Sequence, residues 1–426
     1  MALFGRKKTT PVEEETPEAP RLPEAPPVDE KGLRSVSDHT NYLLDLVEPL
    51  RPFGMSLLEA WDQVMCEDID SMINVPPNST SKIDGYAVRA SDLVDVDGAK
   101  VDALELIDRG DRLDTGQAVA VHAGEVLPRG TSAVLPETFA DVLQTRVSIL
   151  DTVGAGDYIR AAGEHLALGT RLLSAGETLD DRAIGMLAAS GIDKVLVRPR
   201  PRVVVVSSGS ELVEPGSVLH YGESTDANSF MIAAAAKAAG STVFRVAVHS
   251  NDPEELRQTI TDQLIRADLV ISTSGGRREE YEAVSGAMAE LGLVDSVKVA
   301  MSPGRTQTFG LIGEDQVPMV MLPGNPVSAY VTFQVFVWPL IRRLRGAEPL
   351  RRPVRAIASN SMRSVKGQVH LLRGAVTTDG SIRHVERVSE PFAMAELTRS
   401  NALIVMDENT DHVAAGQPVQ CWLLDD

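Results

Sequence analysis

The residues best suited to chemistry stand where apolar, strand-like runs end. Leu269-Val270-Ile271 leads through Ser272-Thr273-Ser274 into Gly275-Gly276, and a helical pattern then opens on Arg277, Arg278, Glu279, Glu280 and Glu282. Two further runs end the same way. Residues 203–206, all valine, meet Ser207-Ser208-Gly209-Ser210-Glu211-Leu212, and residues 317–322 meet Pro323-Gly324-Asn325-Pro326. Glycine permits close backbone approach, and amides and hydroxyls at a strand–loop–helix junction suit an anion. Three glycine-bearing strand ends in one region point to a pocket for a small anionic ligand. Two other loops carry carboxylates: Asp84 in Ser81-Lys82-Ile83-Asp84-Gly85-Tyr86, and Glu164 in Gly163-Glu164-His165. Taken singly, each of these is as well explained by an ordinary surface turn.

The elements that must position these loops follow from periodicity. Between 202 and 345, buried-strand runs alternate with helical patterns, as a mostly parallel sheet covered on both faces requires. Ligands gather beyond the carboxyl ends of such strands. Helices are expected after Asn228-Ser229 through Phe230 to Gly240, at 253 onward behind an aspartate cap with proline in the first turn, at 279–291, and from Pro326 through a long apolar run. Residues 36–48 and 56–68 read as two more helices, the second opening on a Ser56–Glu59 capping box. Residues 75–154 carry short strands broken by glycine, proline and aspartate, and the last 75 or so residues form a small β domain. Residues 1–32 are proline- and acid-rich, without periodicity, and read as a disordered tail.

A chain of 426 residues with 43% hydrophobic and 4% aromatic content is expected to form several aliphatic-rich domains. Its net charge of -19 opposes nucleic-acid binding, which needs a basic face. Cys66 and Cys421 match no metal or redox spacing and read as free thiols. No stretch has the length and apolarity of a membrane span. The expected location is cytoplasmic.

Residues 33–426 resemble the MoeA/gephyrin E-domain family, the molybdopterin molybdotransferases. The ordered matches are IDGYAVRA, HAGEVLPRGTSAV, GEHLALGTRLLSAG, SSGSEL, TSGG, MSPGRTQTFG and LPGNPVSA. The resemblance implies an α/β multidomain protein: an elongated four-subdomain protomer with a three-layer α/β domain, assembled as a homodimer. Residues 33–74 with 155–198 would form a linker subdomain, 75–154 an inserted β-rich lobe, 199–345 the α/β domain and 346–426 a C-terminal β domain. The implied reaction moves molybdenum from molybdate onto adenylylated molybdopterin with Mg²⁺. Carried over by position, Asp84, Glu164, Glu211, Glu282 and Arg305 are the catalytic candidates, and Glu211, Glu280 and Glu282 the metal candidates. Ser207, Ser208, Gly209, Ser210, Gly275, Gly276, Arg277, Arg278, Pro323, Gly324, Asn325 and Pro326 are the ligand-binding candidates.

The motifs also depart from the family pattern. His165 and Ser210 stand where the family has aspartates, and Ser302-Pro303-Gly304-Arg305-Thr306 replaces lysine–proline–glycine–lysine–proline. The loop after Gly276 is one residue shorter, with Glu282 taking the acidic position. These changes leave two readings. One is a transferase with a modified site. The other is a gephyrin-like dimeric scaffold that holds a peptide tail of a cytoskeletal, cell-division or membrane-receptor protein, by which it would be recruited to a membrane or division site. The peptide groove would then involve Asp38, Tyr42, Met321, Pro391 and Phe392. Core packing is the competing explanation for Tyr42 and Phe392. A nucleotide-binding enzyme outside molybdenum chemistry would need a new acid–base set, and the sequence presents none.

Overall fold

The computed structural model describes residues 21–250, 252–274, 277–388 and 394–424. The chain divides into two compact units, Arg51–Pro199 and Met1–Leu50 with Arg200–Asp426.

In the unit Arg51–Pro199, a six-stranded sheet forms the expected lobe. Its strands run in the order Ala140–Leu143, Arg146–Ile149, Ala103–Ile107, Gln117–Val121, Gly85–Val88, Ala133–Pro136. Val88, Leu104, Leu135 and Val147 fill one of its faces. Gly85 is required here, because a Cβ at that position would lie 2.1 Å from the Leu135 carbonyl oxygen of the paired strand. A second core, with Met65, Leu179, Leu187 and Val197, lies under the helix Asp181–Ala189.

The helix expected at 56–68 does not form. Phe53–Ser56 is a strand paired with Lys194–Arg198, and Val64–Met65 pairs with the same strand. Half of the capping box is nevertheless made: Ser56 N–H donates to Glu59 Oε2 at 3.3 Å, and Ser56 Oγ donates to the same oxygen at 2.6 Å. They close a turn that Asp62, at φ 61°, ends. A local signal for a helix start is met by one turn where pairing on both sides stabilises strands instead.

In the other unit, a seven-stranded sheet has the order Leu33–Arg34, Gly292–Val299, Thr306–Ile312, Val317–Met321, Leu269–Ser274, Arg202–Ser208, Thr242–Val248. The last four strands are parallel, and Thr306–Ile312 runs antiparallel to both of its neighbours. Successive valines explain the burial. Val203 and Val205 pack with Ile232 and Phe333 on one face, while Val204 and Val206 pack with Ile260, Val284 and Met288 on the other. Helices therefore cover both faces, the three-layer arrangement expected. Asp252 caps the helix Pro253–Leu264 as read, its side chain accepting from Glu254 N–H at 3.1 Å. The long run after Asn325 is helical in three parts: Pro326–Thr332, a π-helical turn Phe333–Val337, and Trp338–Leu344. Pro339, which has no N–H to donate, falls at the start of the third.

The six-stranded C-terminal sheet includes Val354–Ala358, Val369–Asp379 and Pro418–Leu423, around Leu372, Val385, Ile404 and Cys421. Residues 33–50, expected with the linker subdomain, belong instead to this unit. Leu33 and Arg34 pair with Lys298 and Val299, Arg34 bonds Asp295 at 2.5 Å, and the helix Val36–Asp45 buries Leu43 and Leu44 in the same core. Of the tail, residues 1–20 lie outside the described residues. Residues 21–29 hold no helix or strand, yet Ala25 packs on the core and the Pro23 carbonyl accepts from Tyr42 Oη at 3.3 Å.

Candidate active site

The carboxyl ends of the central strands are lined with hydroxyls. Ser207, Ser208, Ser272, Thr273 and Ser274 are all buried, and Ser208 Oγ and Thr273 Oγ1 have no hydrogen-bond partner. After Ser208 the chain turns at Gly209 (φ 154°), where a Cβ would come within 2.9 Å of Glu211 Oε2. This turn delivers Glu211 into the interior, 7% exposed. Glu280, 1% exposed, enters from the first turn of the helix Arg278–Leu291. Its Oε2 accepts the Arg277 N–H at 3.1 Å, while Glu280 Oε1 and Glu211 Oε2 are buried with no hydrogen-bond partner. Burial, reinforced by the Glu211 carboxyl, pushes the Glu280 carboxyl up to about 7. The pair thus holds a proton well above the usual carboxylate range.

A cleft of about 460 Å³ is lined by Ser274, Arg277, Arg278, Tyr281, Arg305, Pro323, Gly324 and Ser328, among others. Tyr281 is braced by Thr308 at 2.7 Å, and Arg305 by Gln368 at 3.0 Å. Asn325 caps the helix Pro326–Thr332 by accepting the Ser328 N–H at 3.1 Å. Among the lining residues, Arg277, Arg278, Arg305, Pro323 and Gly324 are ligand or catalytic candidates of the sequence reading. That reading missed Asn228, whose Nδ2 donates to the Gly324 carbonyl at 2.7 Å and to the Ser274 carbonyl at 3.4 Å. Two carbonyl acceptors fix that amide's orientation and tie two of the site loops together. Asn228-Ser229 was legible only as the lead into a helix, and the preceding Asp226 accepts the Ser229 N–H at 3.0 Å. Pro326 lines a neighbouring pocket of about 210 Å³ with Asn228 and Gly324.

Glu282, Ser210, Tyr42 and Asp38 do not line the cleft of about 460 Å³. Glu282 is exposed and pairs with Arg278 at 2.7 Å, four residues along the helix surface, so Glu280 rather than Glu282 meets Glu211. Ser210 is exposed, unlike its buried neighbours Ser207 and Ser208. Tyr42 and Met321 are 7% and 2% exposed, core residues rather than walls of a peptide groove. Asp38 is exposed on the helix Val36–Asp45. Gly275, Gly276, Pro391 and Phe392 lie outside the described residues.

Within the unit Arg51–Pro199, the Asp84 and Glu164 loops meet. Lys82 pairs with Glu164 at 3.0 Å, and Glu164 also accepts the Ala161 N–H at 3.0 Å. The Lys82 contact first, then this amide, hold its carboxyl below the usual range. Asp84 accepts the Ala123 N–H at 2.8 Å, with His122 Nδ1 3.5 Å away.

A doubly covered α/β sheet carries an arginine-lined cleft at its strand ends. Comparison with known proteins supplies the class. Residues 34–191 match the MoeA N-terminal region (domain I and II), 204–343 a probable molybdopterin binding domain, and 355–424 the MoeA C-terminal region (domain IV). The chain is 35% identical over 422 residues to molybdopterin molybdenumtransferase 1 of Mycobacterium tuberculosis, covering 92% of this chain and 99% of that protein. It is 30% identical over 407 residues to the molybdopterin molybdenumtransferase of Nostoc sp., covering 90% and 92%. The chain belongs to the MoeA family. The fold agrees with that of the crystallised molybdopterin biosynthesis MoeA protein from Pyrococcus horikosii, at a TM-score of 0.79 and 23% identity over 92% of this chain and all of that one.

Proposed function

We propose that this chain is a molybdopterin molybdenumtransferase, moving molybdenum from molybdate onto adenylylated molybdopterin in the cytoplasm. The observation that carries the reading is the arginine-lined cleft, set at the strand ends of a chain similar over nearly its whole length to proteins named for that activity. Molybdate and the pterin phosphates are anions, and Arg277, Arg278 and Arg305 offer them charge-assisted hydrogen bonds. The Gly324 loop, fixed by Asn228, supplies backbone at close range. The Glu211–Glu280 pair holds a proton beside the cleft and can give it up near neutrality.

The Mg²⁺ implied by the resemblance does not find its three expected ligands together. Glu282 faces solvent with Arg278, away from the buried Glu211 and Glu280. Among the described residues, no three His, Cys, Asp or Glu side chains cluster as a metal site. The steps assigned to this chain are therefore anion binding and proton holding by its own side chains.

The test is rescue of molybdenum-cofactor synthesis by the full chain in a strain lacking its own transferase, together with molybdenum transfer by the purified protein. Transfer is expected. Its absence in both assays overturns the reading.

One observation favours the scaffold reading as a second function. A groove of about 410 Å³ lies beside the first helix, lined by Val36, Thr40, Trp338, Leu350 and Trp422. Apolar aromatic walls suit a peptide anchor. Of the residues first assigned to a groove, Asp38 and Tyr42 lie on the helix that borders this one, and neither lines it. A peptide tail of a cytoskeletal, cell-division or membrane-receptor partner would be displaced by Trp338→Ala without loss of molybdenum transfer. Unchanged capture of such a peptide by that variant rejects this second reading.

A further inference from the structure

We infer that Arg277 stands in for a divalent cation, so that this protein grips a phosphate anhydride with a guanidinium of its own and needs no metal to do so. The inference rests on the transferase reading for its ligand class and on the structure for its mechanism.

Arg277 directly precedes the helix Arg278–Leu291, and its N–H donates to Glu280 Oε2 at 3.1 Å. Its Nε stands 3.9 Å from Glu280 Oε1, an oxygen that has no hydrogen-bond partner. The same side chain is 55% exposed and lines the 460 Å³ cleft. One edge of the guanidinium therefore faces a buried carboxylate pair, and the rest of it faces the space an anion would fill. A cation that joined carboxylates to phosphate oxygens would take this position.

Without positive charge between them, a buried carboxylate pair and a phosphate group would repel across the cleft wall. The planar fork of Arg277 can satisfy both sides at once, which an ammonium group does less well. The rest of the described lining agrees. Arg278 and Arg305 add two more guanidiniums, and none of the described lining residues is a carboxylate. Glu282, the acidic side chain nearest in sequence after Glu280, is paired with Arg278. The cleft is built to neutralise an anion from its own walls.

The experiment is calorimetric titration of the full chain with inorganic pyrophosphate, in EDTA and in excess Mg²⁺. The unmodified protein should bind in EDTA, with a Kd within about threefold of the value in Mg²⁺. Arg277→Met should weaken binding in EDTA by roughly ten- to hundredfold, the loss of a charge-assisted contact. Part of that loss should return with Mg²⁺, because the variant exposes the carboxylate pair to a cation. Arg277→Lys should fall between the two. Binding by the unmodified chain that requires Mg²⁺ would overturn the inference, as would Arg277→Met binding pyrophosphate in EDTA as tightly as the parent. The two readings fail separately. Metal-free binding without molybdenum transfer upholds the role of Arg277 and rejects the transferase, whereas transfer with strictly Mg²⁺-dependent binding does the reverse.

Discussion

At the scale of single residues, two buried ionisable groups pull stability in opposite directions with pH. His39 is 1% exposed, edge-on to the Phe336 ring, with Arg34 Nη1 3.1 Å from its Nδ1. Burial first, then Arg34, lower its pKa from 6.5 to about 4, against a smaller opposing pull from Asp295. The unfolded chain therefore binds this proton more readily, and stability falls as pH drops from about 6.5 to about 4. That window corresponds to on the order of 3 kcal/mol. His39→Gln should flatten the acid limb of a urea-denaturation series, and an unchanged slope would show the imidazole free to charge in place. Glu280 has the reverse sign. Its raised pKa contributes stability fully present below 4.5, and that contribution is lost as pH rises to about 7. Glu280→Gln should therefore raise stability at pH 8 relative to the parent and change it little at pH 4. Equal effects at both pH values would mean that Glu280 is not held protonated. Neither group was legible beforehand as a buried titrating side chain. His39 drew no attention in an amphipathic run, and Glu280 was ranked behind Glu282 because the shortened loop blurred which acid faces inward.

At the scale of elements, the sequence was most readable where burial leaves a periodic mark. The all-valine run 203–206 announced a strand covered on both faces, and Asp252-Pro253 announced a helix start. The strand Thr306–Ile312 went unread because threonine, glutamine and glycine interrupt its apolar pattern, although Phe309 and Ile312 are fully buried. The 56–68 segment was misread because a capping box reports a local hydrogen-bond pattern and not the helix that usually follows it. The site loops were legible as glycine-bearing strand ends, but their mutual fixation by Asn228 depends on contacts 46 and 96 residues away. A single glycine tests how tightly one element is set. Gly85→Ala would drive a methyl group to 2.1 Å from the Leu135 carbonyl, which only a backbone shift can relieve. A loss of about 3 kcal/mol is expected for the lobe in urea unfolding. A loss below about 1 kcal/mol would show the two strands able to part without cost.

At the scale of the molecule, the unit Arg51–Pro199 carries large exposed apolar side chains outside its three small cores. Phe53, Leu58, Trp61, Met72 and Leu168 are 62%, 84%, 51%, 75% and 64% exposed. Single exposed apolar side chains are ordinary, but several large ones on one small unit mark a surface that associates. A second copy of the chain is the occupant we propose, since the resemblance implies a homodimer and a symmetric pairing buries the same residues twice. Sedimentation should then give one species at twice the 45.8 kDa chain mass across micromolar concentrations. Leu58→Asp together with Trp61→Asp should shift it toward the monomer, because each adds a charge that association would have to desolvate. The helix expected at 56–68 does not form, and Leu58 and Trp61 in that segment are left exposed. A monomer at every concentration would sink the proposed dimer, whereas a dimer unmoved by the double substitution would place the contact elsewhere on the chain.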